Sequence, residues 1–195
     1  MEIETIEIGG LASALVALRL PYGKEMRSEV WGIGDNEEDF VREVSEEGTP
    51  REELYFGYGK RMCIDPRDLR LLNALLKRGP EHAKVLRGVM AWARITAPIY
   101  WWSELETYVV GHQRLCSEST MHTDCRGLSG EALVSAKASI PMGRELTKVD
   151  VFSYQALRNI YRQRHDHRLP EWHRFCAWVE TLPFADELIL DGALV

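Results

Sequence analysis

The sequence predicts a single, helix-rich globular domain that also contains at least one strand. Its 195 residues are enough to bury a real core, and the 45% hydrophobic and 28% charged fractions are ordinary for a soluble domain. Apolar residues recur at helical spacing in several segments, whereas near the start they come close to alternating. Because no internal repeat, low-complexity segment or linker divides the chain, we expect residues 1–195 to form one domain.

The charge and the cysteines narrow the class of protein. The net charge of −6 argues against non-specific nucleic-acid binding, which needs a basic surface, but it leaves room for a small anion held by a few arginines. No apolar run approaches the length of a membrane span, and the acidic start lacks a signal-peptide pattern. Without a Cys-x-x-Cys pair, the four cysteines are expected to be free thiols in a reducing cytoplasm.

The first third of the chain mixes clear and unclear patterns. Isoleucines and glutamates partly alternate over 2–8, which predicts a half-exposed strand, and the apolar run over 11–20 predicts a short buried helix that ends before a proline. The glycine-containing stretch 21–34 is predicted to be a loop. An acidic helix with a solvated face is predicted over 35–47, and 50–64 is expected to be irregular.

The next segment carries the clearest helix signal. Asp65 is a good N-terminal cap, Pro66 suits the first helical position, and leucines at helical spacing follow. Gly79 and the proline after it end the helix. The pattern over 84–96 fits either a strand or a helix.

The most unusual stretch is 97–122. Its first half contains Trp101, Trp102 and the apolar Val109 and Val110, and it predicts a buried helix that starts at Pro98. The second half gathers small polar and titratable side chains. Such a change from apolar to polar is typical of the lip of a binding pocket, and it also fits a core helix followed by a polar surface loop.

The C-terminal half is predicted to be mostly helical. A loop is predicted over 123–131 and a turn over 140–143. A helix is predicted from about Glu145 through Arg164. A last long helix begins near Pro170, with a buried aromatic side, and ends at Pro183.

Four arginines at and just beyond the end of the helix predicted over 145–164 are the strongest electrostatic signal of the sequence. Arg158 and Arg162 are four residues apart and share a helix face, so they repel unless an anion or an acidic side chain lies between them. Together with Arg164 and Arg168 they fit either a small phosphorylated ligand, bound by guanidinium groups, or pairing with the many acidic residues of the chain.

Two other chemistries are weaker alternatives. A zinc site would use two histidines and two cysteines whose spacing matches no standard zinc finger: His112, Cys116, His122 and Cys125. Ser117 is a candidate nucleophile or hydrogen-bond donor to a phosphate. No Gly-x-Ser-x-Gly elbow surrounds it, which argues against a hydrolase. The sequence also contains neither a P-loop nor a Gly-x-Gly-x-x-Gly motif.

Four stretches over roughly 65–180 together resemble the flavin-dependent thymidylate synthases, the ThyX family. The first is a helix that ends in Gly79 and is followed by Glu81-His82, and the second is Ala97-Pro98-Ile99-Tyr100. Ser117 falls where the family motif Arg-His-Arg-x7-Ser has its serine. The fourth stretch resembles the family's C-terminal substrate-binding helix pair, and it contains Ile140-Pro141, Leu157, Asn159, Arg164 and Glu171-Trp172.

The resemblance implies an α+β fold with a central sheet flanked by helices, usually as a homotetramer. The family binds FAD and dUMP between subunits and methylates dUMP with methylene-tetrahydrofolate and NADPH. The residues expected to hold the nucleotide are Arg114, Ser117, Glu118, Ser119, Lys137 and Arg164, with Ser117 as the catalytic candidate. Those expected near the flavin are Glu81, His82 and Asn159.

The departures from the family pattern fall mainly on residues that hold flavin and activate the pyrimidine. Thr107, Tyr108 and Val109 stand at the Arg-His-Arg positions, and the flavin-binding Asn-x-Arg reads Ser153-Tyr154-Gln155. Two hypotheses follow. One is a diverged, flavin-binding enzyme that acts on a pyrimidine nucleotide, and the other is a non-catalytic nucleotide-binding or structural module on the same scaffold.

Overall fold

The computed structural model describes residues 1–25, 29–32, 51–56, 60–79 and 81–190. The strands are β1 Glu2–Gly9, β2 Glu29–Gly32, β3 Arg51–Phe56, β4 Lys60–Ile64, β5 Met90–Pro98, β6 His112–Ser117 and β7 Glu145–Ser153. The α-helices are α1 Leu11–Arg19, α2 Pro66–Leu76, α3 Ile99–Leu105, α4 Gly130–Ala138, α5 Tyr154–Arg164 and α6 Pro170–Glu180. Short 3-10 helices occupy Leu20–Tyr22 and Lys84–Arg87, and a π-helix occupies Asp186–Leu190.

A four-stranded antiparallel sheet, in the order β1-β5-β7-β6, organises the fold. A smaller sheet has the order β2-β4-β3. The alternation of side chains along a strand is clear in β5, where small and branched residues at every second position are completely buried: Ala91, Ala93, Ile95 and Ala97. The expected α+β class, with a central sheet flanked by helices, is confirmed.

An aromatic cluster packs the helices against this sheet. The Trp101 ring of α3 lies 5.1 Å from that of Trp172 and 5.7 Å from that of Phe175, both on α6. Phe175 in turn lies 5.7 Å from Phe152 of β7. All four side chains are completely buried, so α3 and α6 are fixed relative to β7. The residues after α3 therefore have a well-defined position beside the sheet.

Several predicted elements are confirmed. The predicted strand over 2–8 is β1, and the buried run over 11–20 is α1. Asp65 caps α2 as expected, since its carboxylate accepts a hydrogen bond from the backbone N–H of Arg67 at 2.7 Å. The last helix begins at Pro170, and the ambiguous segment 84–96 divides into a 3-10 helix and β5.

Other predictions are wrong. The stretch 50–64 contains β3 and β4, and the predicted loop 21–34 contains β2. The predicted helix from Glu145 to Arg164 is a strand, β7, followed by α5; the strand pairs with neighbours on both sides, which favours an extended backbone. The acidic helix predicted over 35–47 lies outside the described residues.

The stretch around the tryptophans is also shorter than predicted. Helix α3 has seven residues, ending at Leu105, and Trp101, Trp102 and Leu105 are buried as expected. Val109 and Val110 were expected in the same buried helix, but they lie beyond its end and are 74% and 82% exposed.

None of the helices among the described residues is long and apolar enough to cross a membrane.

Candidate functional site

Strand β6 brings the polar half of the 97–122 stretch to an edge of the central sheet. Its register with β7 places His112 opposite Phe152 and Arg114 opposite Asp150, so these side chains share one face. The imidazole of His112 stacks on the Phe152 ring at 4.6 Å, and its Nε2 lies 3.2 Å from Oδ2 of Asp150. The polar half of the stretch, for which a surface loop was one of two interpretations, is therefore a strand over His112–Ser117, and the His112 side chain is only 5% exposed.

A charged cluster surrounds Arg114. The guanidinium forms an ion pair with Glu106, just after α3, and its Nε lies 4.0 Å from Oδ1 of the completely buried Asp150. Lys148 of β7 donates to the same Oε1 of Glu106 at 3.0 Å, and its Nζ lies 4.3 Å from the centre of the Trp102 ring. Glu106 thus bridges two cations.

The pKa values of this cluster reflect its partial burial. Burial acts to raise the pKa of Glu106, but hydrogen bonds from Lys148 and Arg114 outweigh it, so the pKa lies below its ordinary value. Burial lowers the pKa of the Lys148 ammonium, and the hydrogen bond to Glu106 opposes that change. Glu106 is therefore held in its charged form by the two cations.

A second cluster surrounds Arg164 at the end of α5. Its Nη1 lies 3.0 Å from Oε2 of Glu104, and its Nε donates to the hydroxyl of Tyr108 at 2.8 Å. The guanidinium lies 4.7 Å from the centre of the Trp172 ring, and the Trp172 indole N–H donates to Glu104 at 2.9 Å. The five residues 104–108 therefore contact Arg164 through Glu104 and Tyr108, and Arg114 through Glu106.

The other three arginines of that cluster have different surroundings. Arg158 donates to the backbone carbonyl of Leu188 at 3.2 Å, on the π-helix. Arg162 and Arg168 are exposed. Of the two interpretations of the cluster, pairing with an acidic residue holds for Arg164, through Glu104, and binding of a phosphorylated ligand stays a prediction.

The residues just after β6 form a separate polar loop. The carboxylate of Glu118 accepts hydrogen bonds from Arg144 at 2.8 Å and from the backbone N–H of Thr147 at 3.2 Å. Arg144 also binds Asp124 at 2.9 Å, and these hydrogen bonds lower the pKa of Asp124 to about 2. The loop is thus fastened to the start of β7.

The remaining predicted nucleotide contacts lie on or near this loop. The hydroxyl of Ser117 donates to the carbonyl of Glu118 at 2.9 Å, and that of Ser119 accepts from the backbone N–H of Met121 at 3.3 Å. Lys137 on α4 donates to the hydroxyl of Thr120. These hydrogen bonds connect Ser117 to Glu118, and Lys137 to the loop through Thr120.

The three predicted flavin contacts are exposed. His82 and Glu81 lie in the turn after α2, with Nε2 and Oε1 3.9 Å apart, and Asn159 is on α5. Helix α5 packs against the Lys84–Arg87 turn, where Arg87 donates to Oε1 of Gln155 at 2.7 Å. All three side chains are thus open to solvent.

The zinc alternative is wrong for the part of the chain that the structure describes. No group of three or more His, Cys, Asp and Glu side chains is placed there to hold a metal ion. His112 contacts Asp150 and the carbonyl of Tyr108, while Cys116 is exposed and Cys125 is buried. Cys116, Cys125 and Cys176 are free thiols, as predicted.

Neither a protein-family model nor a curated protein matches this sequence. The structure, however, is similar to that of the flavin-dependent thymidylate synthase ThyX from Helicobacter pylori complexed with FAD and dUMP. The TM-score is 0.64 at 13% identity over 100% of both chains. A second Helicobacter pylori ThyX structure with FAD and dUMP gives 0.64 at 12% identity, covering 100% of this chain and 99% of that one.

The UMP/dUMP methylase PolB from Streptomyces cacaoi, bound with 5-Br dUMP, is also similar. Its TM-score is 0.59 at 12% identity, over 97% of this chain and 94% of that one. At identities this low the likeness concerns the fold alone. The fold is ThyX-like, as the resemblance in the sequence implied.

Sequence reasoning missed four residues of the site: Glu104, Glu106, Lys148 and Asp150. The two glutamates carry no motif of their own in the sequence. Lys148 and Asp150 were missed because β7 was interpreted as a helix, in which residues two apart do not share a face. As a strand, the same sequence places both side chains beside Phe152 on the buried face.

Proposed function

We propose that this chain is a ThyX-like protein that binds a pyrimidine nucleotide similar to dUMP. The observation that carries the proposal is that one five-residue segment, 104–108, contacts both Arg114 and Arg164. Two guanidinium groups on one segment, with the aromatic ring of Tyr108 beside that of Arg164, suit a ligand that combines a phosphate with a flat base. In this proposal residues 1–195 act as one domain in the reducing cytoplasm, with neither a nucleic-acid polymer nor a membrane as partner.

The carboxylates beside these arginines leave donors for a ligand. A guanidinium has five N–H groups, and the Arg114 side chain is 35% exposed. Arg164 is more enclosed, at 19%, and its planar group is held over Trp172. A phosphate or a base carbonyl can thus accept hydrogen bonds from either residue, and an arginine held in position loses less entropy on binding.

Ser117, Glu118, Ser119 and Lys137 complete the proposed nucleotide site through the loop after β6. Lys137 and the two hydroxyl groups supply donors. For Ser117 to act as a nucleophile, a base must remove its proton, and its hydrogen-bond partner is the carbonyl oxygen of Glu118, which is not such a base. The geometry therefore supports Ser117 better as a ligand contact than as the reacting group.

We propose FAD as the cofactor, held by Glu81, His82 and Asn159. The fit rests on the donor set, because an exposed imidazole and an exposed amide can form hydrogen bonds with the polar edge of a flavin ring. When bound, FAD would supply the redox chemistry. Because these residues lie on an open surface of one chain, a second subunit would be needed to cover the ring.

The same proposal includes a homo-oligomer, with a tetramer as the expected form. None of the side chains of α4 is buried, although the helix contains Leu133 and Val134. Within the described ranges, most of the exposed large apolar side chains fall between residues 109 and 142. Such a surface favours contact with another molecule, and we propose a second copy of this chain.

The second candidate function is a nucleotide-binding or structural module without methyl transfer. Thr107, Tyr108 and Val109 favour it, because they occupy the positions of the Arg-His-Arg motif and Val109 is exposed. The threonine and valine cannot supply the charge of an arginine to a ligand. This candidate keeps the arginines at 114 and 164 but needs no flavin.

The visible absorbance spectrum, before and after addition of FAD, distinguishes the two candidates. We expect flavin bands that remain with the protein on gel filtration and are released on denaturation. Calorimetric titration with dUMP tests the nucleotide site, and dUMP-dependent oxidation of the reduced flavin then tests catalysis. Binding of dUMP without flavin would support the module, and binding of neither would refute the nucleotide proposal.

A further inference from the structure

We propose that Arg114 and Lys148 form a subsite for the phosphate group of the ligand, and that Glu106 occupies it as an internal competitor. This inference rests on the proposed nucleotide binding and adds both Lys148 and a competing carboxylate to it. Its basis is the Oε1 atom of Glu106, which accepts hydrogen bonds from both cations, as an oxygen of a bound phosphate would.

The two cations are held in place independently of Glu106. Arg114 is on β6 and Lys148 on β7, two adjacent strands of the central sheet. The Lys148 side chain is only 6% exposed and lies against the Trp102 ring, and Asp150 lies behind Arg114. The positive pair therefore keeps its geometry when its partner changes, as a preformed anion site requires.

The position of Glu106, in contrast, lets its carboxylate move away from the two cations. It follows the last residue of α3, and its side chain is 47% exposed. An exposed carboxylate gains little from an ion pair, because water solvates it well when it leaves. A phosphate group can thus displace it at small cost.

The number of acceptor oxygens favours a phosphate group as the ligand. With Glu106 displaced, the described residues place one other carboxylate beside Arg114 and Lys148, that of the completely buried Asp150, which is shared with His112. The two cations then carry one positive charge more than this carboxylate, so they favour an anion. A phosphate monoester is such an anion, and its three acceptor oxygens, against two on a carboxylate side chain, let both cations donate to it.

The test compares dUMP with deoxyuridine, which lacks the phosphate, in calorimetric titrations of the full chain. Removing the competing charge in Glu106→Gln should tighten dUMP binding about 2- to 5-fold and leave deoxyuridine unchanged. Glu2→Gln is the matched control, since Glu2 is an exposed glutamate on β1, at the opposite edge of the same sheet. Glu2→Gln should change the affinity for neither dUMP nor deoxyuridine.

Several outcomes would overturn the proposal. One is an unchanged dUMP affinity in Glu106→Gln, and another is equal tightening in Glu2→Gln, which would reveal a general effect of net charge. If neither the wild type nor Glu106→Gln binds dUMP, the proposed function fails. Inorganic phosphate then tests the subsite by itself: it should bind Glu106→Gln more tightly than the wild type, and failure to do so refutes the subsite.

Lys148 provides the complementary test in a Glu106→Gln background. Lys148→Met should cancel the gain in affinity for dUMP and for inorganic phosphate, with circular dichroism to show that the variant is folded. Because Lys148 is nearly buried, Arg114→Gln, at a more exposed position on β6, gives a second measurement that does not depend on the core. A gain that survives both substitutions would contradict the assignment of the two cations.

Discussion

At the scale of single residues, Arg164 is a proposed nucleotide contact with well-defined surroundings. It forms an ion pair with Glu104, a hydrogen bond with Tyr108 and a stacking contact with Trp172. Arg164→Ala should weaken dUMP binding about tenfold or more, because a charge-assisted contact contributes about 1.5–3 kcal/mol. Calorimetric titration measures the change.

Arg162→Ala is the matched control for this prediction. Arg162 is on the same helix, and its side chain is exposed. Its loss should leave the affinity for dUMP within about twofold, since a distant surface charge is screened by salt. Equal losses in the two variants would show that the helix contributes only its overall charge, and an unchanged affinity in Arg164→Ala would remove this residue from the site.

The ion pair of Asp124 makes the stability of the loop after β6 depend on pH. Hydrogen bonds from Arg144 and Thr123 lower its pKa from 3.8 to about 2. A carboxyl group with a lowered pKa stabilises the fold above its ordinary pKa, and this contribution disappears as the pH falls through the folded-state value. The urea midpoints of wild type and Asp124→Asn should therefore differ near about pH 5 and converge as the pH falls below about 2. A difference that persists at the lower pH would contradict the ion pair.

The sequence indicated the cations of the site better than their partners. Arg164 was indicated by its cluster of arginines and by the resemblance to the ThyX family, and Arg114 by that resemblance alone. Glu104 and Glu106 could not be selected among 30 acidic residues without the position at which α3 ends. Pairing between distant residues depends on the tertiary fold, so no local pattern predicts it.

At the scale of secondary-structure elements, Gly111 fixes the start of β6 against α5. Its φ is +78°, and an added Cβ would lie 2.4 Å from Oγ of Ser153, whose hydroxyl caps α5. Gly111→Ala should lower the free energy of unfolding by about 2–4 kcal/mol, from left-handed backbone strain and the clash. Urea unfolding monitored by circular dichroism measures this loss.

Gly127→Ala separates the two causes. Gly127 has nearly the same φ, +77°, but a Cβ there would meet nothing within 4 Å. This variant should therefore lose only about 1 kcal/mol, from the backbone conformation. If the two variants were equally stable, the contact between Gly111 and Ser153 would not matter for the fold.

The error over β7 shows which elements a sequence pattern can predict. Helix α2 was found because its cap, its first proline and its leucine stripe all lie within the helix. In β7, the buried Lys148 and Asp150 interrupt the apolar pattern, and the strand forms because β5 and β6 pair with it. Its conformation is thus determined by distant segments.

At the scale of the whole molecule, the fold was recognisable although identity to the solved ThyX structures is only 12–13%. The order of the helices and turns depends on where apolar and turn-forming residues fall, and many sequences satisfy it. A binding site depends on particular residues, which is why the resemblance is weaker there. The same scaffold can therefore retain its shape after the residues that bind the ligand have changed.

The last prediction concerns the proposed oligomer. Val134 of α4 is 67% exposed, and Val16 of α1 is 52% exposed, so both positions accept a polar side chain in one chain. If α4 packs against a second copy, Val134→Asp should dissociate the oligomer, because burying an unpaired carboxylate in an apolar contact is very unfavourable. Val16→Asp should leave its mass unchanged in light scattering after gel filtration. A wild-type monomer would refute the oligomer, and an intact Val134→Asp oligomer would move the interface away from α4.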